Sequence, residues 1–171
     1  MSAWPTGVGT NDAVRIGLGY DSHRFDPSRP LRLGGITIPG HPGLAGHSDG
    51  DAVAHAIIDA VLGAIADGNI GSHFPPSDER WRGADSVELL RQAMERLWER
   101  DYRVVNVDVT VLCETPKIGV YASAMCSVLA PILGVSADGD ISIKGKTNEG
   151  MGWIGSGEGL AVHAIALVTH R

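Results

Sequence analysis

The stretch VRIGLGYDSH, Val14 to His23, ends with a carboxylate and an imidazole on a predicted β-strand. Val14, Ile16 and Leu18 alternate with other residues, which is the two-residue period of a strand. Because residues i and i+2 of a strand point to the same face, Asp21 and His23 are expected to lie side by side. The two side chains either bind a metal ion or interact only with each other.

The composition is that of one compact globular domain. The chain has 171 residues, of which 43% are hydrophobic and 20% are charged, and this is enough apolar material for a single core. A net charge of -6 argues against a general nucleic-acid or anionic-membrane binder, since both functions need a basic face. We expect neither partner, so any bound phosphate must rely on a few local cations, backbone amides or a metal.

Cysteine content and the N-terminal residues bear on compartment and domain boundaries. Cys113 and Cys126 are too few for a disulfide framework, and no secretory or membrane-spanning segment is seen in the sequence. The sequence therefore predicts reduced thiols in a cytoplasmic protein. Residues 1–13 are predicted to be a flexible extension, and residues 14–171 a single folded domain.

Strand and helix patterns alternate along the rest of the chain. After the first strand come the short strand-like pieces PLRLGG and ITIP, and then a polar loop over residues 40–51. Helical periodicity follows over residues 51–68, 85–101 and 116–134, with Pro116 expected to open the third helix and Gly134 to end it. Further strands are predicted over residues 102–113, 140–149 and 159–170. This order predicts an α/β or α+β domain, with a mixed sheet packed by helices.

His55 extends the possible metal site into the first helix. Asp51, His55 and Asp59 are spaced one turn apart and share a helix face. With Asp21 and His23, His55 makes a set of three nitrogen and oxygen ligands that suits a divalent ion with open coordination positions. Asp51 and Asp59 would then orient an imidazole or bond a substrate hydroxyl.

The segment GHSDGD before this helix admits two interpretations. His47 competes with His55 as the third ligand, but a glycine-bounded loop holds a side chain less rigidly than a helix, so we predict His55. Structurally, Ser48 or Asp49 would cap the free amides of the helix. Functionally, His47 and Ser48 would meet an anion at the same place.

Two further segments carry polar groups that suit a phosphorylated substrate. In IKGKTNEGMGWIGSGEG, Lys146, Thr147, Asn148 and Glu149 offer donors for phosphoryl oxygens and a hard oxygen ligand for a second, Mg-like ion. The alternative is an edge strand whose lysines only prevent pairing with another strand. The second segment, NIGSHFPPSD over residues 69–78, is either a surface loop or a substrate contact.

Six motifs, taken in order, make the chain resemble the 2-C-methyl-D-erythritol 2,4-cyclodiphosphate synthase family of the non-mevalonate isoprenoid pathway. They are GYDSH, GHSDGDAVAHAIIDAVLGA, NIGSHFP, GADS, NVDVTVLCETPK and KTNEGMGWIGSGEG. The resemblance runs from about Arg15 to the C-terminus. It implies a homotrimer of small α/β subunits, with each active site built between neighbours.

The reaction that the resemblance implies is intramolecular. In 4-diphosphocytidyl-2-C-methyl-D-erythritol 2-phosphate, a cytidine diphospho-sugar alcohol, the 2-phosphate attacks the β-phosphorus. This step closes a cyclic diphosphate and releases CMP. Because a dianionic phosphate must approach a charged diphosphate, the site has to neutralise repulsion and align the attack.

The resemblance also implies roles for individual residues. Asp21, His23 and His55 match the ligands of a divalent ion, usually zinc, and Glu149 matches the ligand of a Mg or Mn ion at the diphosphate. His47 and Thr147 match positions that steady the transition state, and we expect Lys146 to act on the same charge. The predicted substrate contacts are Ser48, Asp59, Asn69, Ile70, Gly71, Phe74, Pro75, Pro76, Ser77, Asp78, Cys113, Glu114, Thr115, Pro116, Lys117, Asn148, Trp153 and Ser156.

The chain departs from the family pattern at a few positions. Asn69 stands where an aspartate commonly contacts a sugar hydroxyl, and an amide still offers an acceptor there. Tyr20 and Trp153 replace phenylalanines near the trimer axis. Ser156 replaces an arginine that meets the phosphates of an isoprenoid diphosphate on that axis, so we expect this ligand to bind weakly.

Two other functions are compatible with the same residues. A metal-dependent phosphohydrolase would use the histidine and aspartate cluster to activate water. A non-catalytic trimeric nucleotide-binding module would keep the fold without the chemistry. The fate of the cytidine diphospho-substrate separates these two functions from the synthase.

Overall fold

The computed structural model describes residues 14–171, and the predicted extension, residues 1–13, lies outside the described residues. One mixed sheet has the strand order β2-β1-β5-β3-β4. Its strands are β1 (Arg15–Leu33), β2 (Ile36–Leu44), β3 (Tyr102–Leu112), β4 (Ile141–Lys146) and β5 (Gly159–His170). β3 and β4 are parallel and the other neighbours are antiparallel. The predicted fold class, a small domain with a mixed sheet and packed helices, is confirmed.

Within residues 14–171, five helices accompany the sheet: α1 (Ala52–Ala64), α2 (Ile70–His73), α3 (Ser86–Glu99), α4 (Ala122–Leu133) and α5 (Gly152–Gly155). Helices α1 and α3 lie within their predicted segments, and Gly134 ends α4 in the left-handed conformation, with a φ of 69°. None of the helices in residues 14–171 is long and apolar enough to cross a membrane.

Pro116 does not open the third long helix, so that prediction was wrong. A 3₁₀ turn over Ile118–Val120 comes first, and α4 begins only at Ala122. The buried Ile118 side chain packs over Gly145 of β4, where an added methyl group would lie 2.8 Å from the Ile118 Cβ. This contact draws the segment onto the sheet, and Gly119 further disfavours a helix there.

The first strand is longer than predicted, and the loop that was expected from residue 40 begins only after Leu44. The first half of β1 pairs with β5 and its second half pairs with β2. A register shift at Pro30 lets the β1–β2 ladder pass a residue that has no backbone donor. The two short pieces in the sequence are therefore parts of a continuous two-stranded arm.

Glycines make the contact between β1 and the first helix. A methyl group on Gly19 would lie 1.8 Å from the carbonyl oxygen of Ala56, and one on Gly17 would lie 1.8 Å from that of Ala60. The backbone of α1 therefore rests directly on the backbone of β1. This close approach brings His55 next to Asp21 and His23, which lie within β1.

The opposite face of the sheet is apolar and exposed. Ile16 and Leu18 are 67% and 66% exposed, and Tyr20 and Ile165 are 49% and 41% exposed. These residues alternate with the glycines that face α1, so the apolar period of β1 marks its outer side. Contiguous apolar surface of this kind is typical of an interaction face.

Candidate metal centre and active site

The structure brings Asp21 and His23 of β1 together with His55 of α1. The Asp21 Oδ2 atom lies 2.8 Å from His23 Nε2 and 2.9 Å from His55 Nδ1. The two imidazole nitrogens are 3.4 Å apart. The potential ligand atoms of these three residues all lie within 4.8 Å of one another, as one bound ion would require.

The second ring nitrogen of each histidine is engaged elsewhere in the protein. His23 Nδ1 lies 2.6 Å from the carbonyl oxygen of Ala45, which only accepts hydrogen bonds, so Nδ1 carries the proton. His55 Nε2 lies 2.8 Å from Ser86 Oγ and 3.1 Å from Ser48 Oγ. The remaining nitrogens therefore both face Asp21. Two imidazoles and a carboxylate arranged in this way fit a divalent metal ion.

The electrostatics of the cluster keep its carboxylate charged. Burial opposes ionisation of Asp21, but hydrogen bonds from His23 and His55 outweigh it, and the pKa of Asp21 lies well below its ordinary value. Burial also disfavours a charged His23, yet its hydrogen bond to the Asp21 carboxylate raises the pKa of His23. Asp21 is thus an anionic ligand at neutral pH.

Asp51 does not orient His55, contrary to the prediction. It is fully buried and caps α1, and its carboxylate accepts the backbone amides of Gly34 at 2.8 Å, Gly35 at 2.6 Å and Ala54 at 3.0 Å. Burial raises the pKa of Asp51. An N-cap side chain folds back onto the first turn, and this geometry turns Asp51 away from the residue one turn later.

The predicted helix caps Ser48 and Asp49 bond elsewhere, so that interpretation was also wrong. Ser48 Oγ accepts the Gly50 amide at 3.3 Å and lies beside His55. Asp49 accepts the hydroxyl of Ser86. On the other side of His55, Asp59 accepts the Ile70 amide at 2.7 Å and thereby holds the start of α2, and burial raises the pKa of Asp59.

A pocket of about 210 Å³ adjoins the candidate metal ligands. It is lined by Asp21, His23, His47, Ser48, His55, Ile70, Gly71, Phe74, Pro76, Trp81 and Leu89. Most of these residues were predicted from the sequence, but Trp81 and Leu89 were missed. The signal for Trp81 was weak, since it is one aromatic residue in a polar run. Its ring packs edge-on against Phe74, with centroids 5.1 Å apart.

The remaining predicted residues of the segment 69–78 lie outside the lining of this pocket. Asn69 caps α2 and accepts the amide and the hydroxyl of Ser72, each at 3.0 Å. Asp78 caps the 3₁₀ turn that contains Trp81. Pro75 and Ser77 belong to the connection between α2 and that turn, and they do not line the pocket.

Several of the other predicted residues meet in a second pocket of about 340 Å³. The loops after β3 and β4 form it, because these neighbouring strands are parallel and end at the same edge of the sheet. Its lining residues are Cys113, Pro116, Lys117, Ile118, Gly119, Gly145, Lys146, Thr147 and Glu149. Within residues 14–171 the Lys117 and Lys146 side chains form no ion pair, whereas Lys144 pairs with Asp108.

Glu114, Thr115 and Asn148, which were predicted to touch substrate, do not line the second pocket. Glu114 Oε1 accepts the amides of Asn148 at 2.9 Å and Gly150 at 3.3 Å, so it ties the two loops together. The side-chain amide of Asn148 donates a hydrogen bond to the Met151 carbonyl oxygen at 2.7 Å.

The chemistry of the second pocket suits an anion. The Thr147 hydroxyl donates to Glu149 at 2.8 Å, and both residues lie beside the Lys146 ammonium. Burial raises the pKa of the Cys113 thiol to about 11, so this thiol is not a nucleophile at neutral pH.

Trp153 and Ser156 lie outside both pockets. The Ser156 hydroxyl lies 3.1 Å from Glu158 Oε1 and 3.2 Å from the Trp153 carbonyl, so its bonds stay within its own loop. Trp153 lines a separate pocket of about 210 Å³ with Ser22, His23, Arg24 and Glu158.

The candidate metal ligands and the second pocket lie in one row across the sheet. Asp21 is paired with Val162, Val162 with Val111, and Val111 with Gly145. Three strand spacings of this kind amount to about 14 Å. The two halves of the candidate site within one chain are therefore well separated.

Comparisons with known proteins identify relatives of this chain. A family model described as the YgbB family matches residues 14–169. The curated 2-C-methyl-D-erythritol 2,4-cyclodiphosphate synthase of Symbiobacterium thermophilum is 52% identical over 156 residues, which cover 91% of this chain and 99% of the relative.

Two solved structures are similar in fold. The bifunctional IspDF of Campylobacter jejuni has a TM-score of 0.90 and 37% identity, and the match covers 94% of this chain and 43% of that chain. IspF of Plasmodium falciparum, solved as a CDP complex, has a TM-score of 0.81 and 32% identity, and the match covers 95% of this chain and 99% of its own. Because the family model spans almost all of the described residues and a curated relative is identical at more than half of the aligned positions, this chain belongs to the YgbB family.

Proposed function

We propose that this chain converts 4-diphosphocytidyl-2-C-methyl-D-erythritol 2-phosphate to 2-C-methyl-D-erythritol 2,4-cyclodiphosphate and CMP. The observation that carries this function is the cluster of Asp21, His23 and His55 beside a pocket, in a chain whose curated relatives are named as that synthase. The chain is thus a cyclising lyase of isoprenoid biosynthesis.

The metal at this cluster is zinc in the proposed function. Asp21, His23 and His55 would hold it through Oδ2, Nε2 and Nδ1, the atoms that face one another. A bound zinc ion supplies a Lewis acid for a phosphoryl oxygen. The protein contributes a fixed, anionic set of ligands, and His47 and Ser48 line the same pocket beside it.

In the proposed function, the diphosphate of the substrate binds in the second pocket. Lys146 and Lys117 bring positive charge that no carboxylate of residues 14–171 neutralises by an ion pair, and the Thr147 hydroxyl donates to Glu149 in the same pocket. Glu149 would offer an oxygen ligand for a Mg or Mn ion at the diphosphate. The loop over residues 113–117 would contact the cytidine, and the CDP complex of the Plasmodium falciparum neighbour supports a nucleotide of this kind.

Charge neutralisation and alignment are the catalytic tasks of these groups. The two reacting phosphates repel each other, so the cations lower the barrier when they face the charge that develops in the transition state. Holding both phosphates in line turns the step into a well-oriented intramolecular reaction. No protein nucleophile is needed, in keeping with the raised pKa of Cys113.

The proposed assembly is a homotrimer with active sites between subunits. The exposed apolar face around Ile16, Leu18 and Tyr20 supplies a surface for contact between copies. The separation of about 14 Å between the metal ligands and the second pocket supports a site that takes one half from each of two neighbours. Light scattering coupled to size-exclusion chromatography measures the assembly.

Phosphorus NMR of the reaction tests the function directly. With zinc and magnesium present, we expect the cytidine diphospho-substrate to give the cyclic diphosphate and one equivalent of CMP. Linear phosphate products would instead support a phosphohydrolase. Unchanged substrate together with measurable binding would support a nucleotide-binding module.

Replacing Lys146 with alanine is expected to slow cyclisation about 100-fold, because it removes a cation from the developing phosphate charge. CMP affinity should change little, since this side chain acts on the phosphates and not on the base. Single-turnover rates and CMP titrations measure the two effects separately.

Lys144→Ala is the matched control, because it removes the same charge from the same strand but from a side chain already paired with Asp108. It should leave the rate close to that of the unmodified protein. Equal rate losses in the two variants would contradict the role of Lys146. So would a loss of CMP affinity in Lys146→Ala as large as its loss of rate.

A further inference from the structure

Behind the metal ligand His55 lies a short chain of polar groups that no motif in the sequence analysis explained. Ser86 is the first residue of α3, and it is fully buried. Its Oγ atom lies 2.8 Å from His55 Nε2, and its hydroxyl donates to the Asp49 carboxylate. Asp49 also accepts the Ser86 amide at 3.3 Å, and it forms an ion pair with Arg32 at 3.2 Å.

The direction of these hydrogen bonds follows from the chemistry of the partners. An ionised carboxylate only accepts, so the single hydroxyl proton of Ser86 must point to Asp49. Ser86 Oγ can then only accept from His55, and the imidazole proton is held on Nε2. The lone pair of His55 is therefore left on Nδ1, the atom that faces Asp21 and His23.

We propose that Ser86 and Asp49 are positioning residues that set the tautomer and orientation of His55 for metal binding. This inference rests on the proposed metal site. A histidine ligand whose other nitrogen donates to a group backed by a carboxylate is oriented and more basic, and removal of such partners typically costs about 10- to 100-fold in metal affinity. Arg32 holds Asp49 in place from β1, so the chain of contacts joins β1, α1 and α3.

Ser48 provides a built-in control. Its Oγ atom also lies near His55 Nε2, at 3.1 Å, but it accepts the Gly50 amide and forms no hydrogen bond to a carboxylate of residues 14–171. If hydrogen bonding to Nε2 alone mattered, the two serines would be equivalent. If the link to Asp49 matters, only Ser86 should have a large effect on metal affinity.

The test measures zinc affinity of the full-length protein by competition with a chelating indicator. Ser86→Ala should weaken zinc binding about 10- to 100-fold, and Ser48→Ala by less than about threefold. Asp49→Asn should weaken it as well, but the double variant Ser86→Ala/Asp49→Asn should lose little more than Ser86→Ala. Additive losses in this cycle would mean that Asp49 acts independently, and would overturn the proposal.

NMR of isotope-labelled histidine in the zinc-loaded protein gives a second readout that a general loss of packing would not produce. The His55 Nε2 proton should be visible and protected from exchange in the unmodified protein and in Ser48→Ala, and it should exchange rapidly in folded Ser86→Ala. A protected proton that persists in Ser86→Ala would overturn the role of Ser86. Failure of the unmodified protein to bind zinc would instead contradict the proposed metal site itself.

Discussion

Replacing His55 with alanine is expected to remove the tightly bound metal and to lower cyclisation about a thousandfold or more. The Lewis acid supplies several kcal/mol of transition-state stabilisation, and each 1.4 kcal/mol corresponds to about tenfold in rate. Asp21→Asn should have a similar effect, because the amide has no charge to offer and cannot form the same pair with His23. Elemental analysis after dialysis and the rate of CMP release measure the two losses.

The matched control for this prediction is His47→Ala. His47 lines the same pocket but lies outside the cluster of facing ligand atoms, so this variant should keep its zinc. The proposed trimer should persist in all three variants, since none of these side chains belongs to the exposed apolar face. Retention of stoichiometric zinc by His55→Ala, combined with its loss in His47→Ala, would reverse the assignment of the third ligand.

Replacing Gly19 with alanine is expected to destabilise the zinc-free protein by about 3 kcal/mol and to weaken metal binding as well. The added methyl group would lie 1.8 Å from the Ala56 carbonyl oxygen and 2.8 Å from the Ala60 nitrogen, so α1 would have to move away from β1. His55 would move with the helix, away from Asp21 and His23. Denaturant unfolding at a fixed protein concentration, followed by zinc titration, measures both effects.

Gly63→Ala is the corresponding control within α1. A methyl group there meets only the Leu18 carbonyl, at 4.0 Å, and Gly63 is exposed. Because alanine is the better helix former, we expect this variant to be more stable by about 0.5 to 1 kcal/mol. If Gly19→Ala were as stable as Gly63→Ala, the direct backbone contact between β1 and α1 would be refuted.

Much of the site chemistry was predictable because it depends on residues that are close in sequence. Asp21 and His23 share a face of β1 by the two-residue period of a strand, and the polar residues after β3 and β4 follow directly from where those strands end. The choice of His55 over His47 came from the rigidity of a helix compared with a loop. The cluster in the structure agrees with that choice.

Local patterns failed where a side chain had two competing uses. Asp51 has the spacing of a partner for His55, yet its carboxylate accepts the Ala54 amide in the first turn of α1 and the Gly34 and Gly35 amides of the turn between β1 and β2. Pro116 has the features of a helix start, yet packing of Ile118 over Gly145 comes first. In both cases the deciding contact involves a residue at least 16 positions away.

The sequence by itself determined the order of the main strands and helices, the single-domain class and the three residues of the candidate metal cluster, because periodicity and residue chemistry are local properties. Only the tertiary structure decided which face of β1 meets α1, since the apolar period of that strand points outward and Gly17 and Gly19 point inward. The tertiary structure alone also placed Ser86 and Asp49 next to the His55 imidazole. Ser86 and His55 are 31 positions apart in the sequence. Strand pairing and helix packing join residues without regard to their separation along the chain, so no local pattern could reveal these contacts.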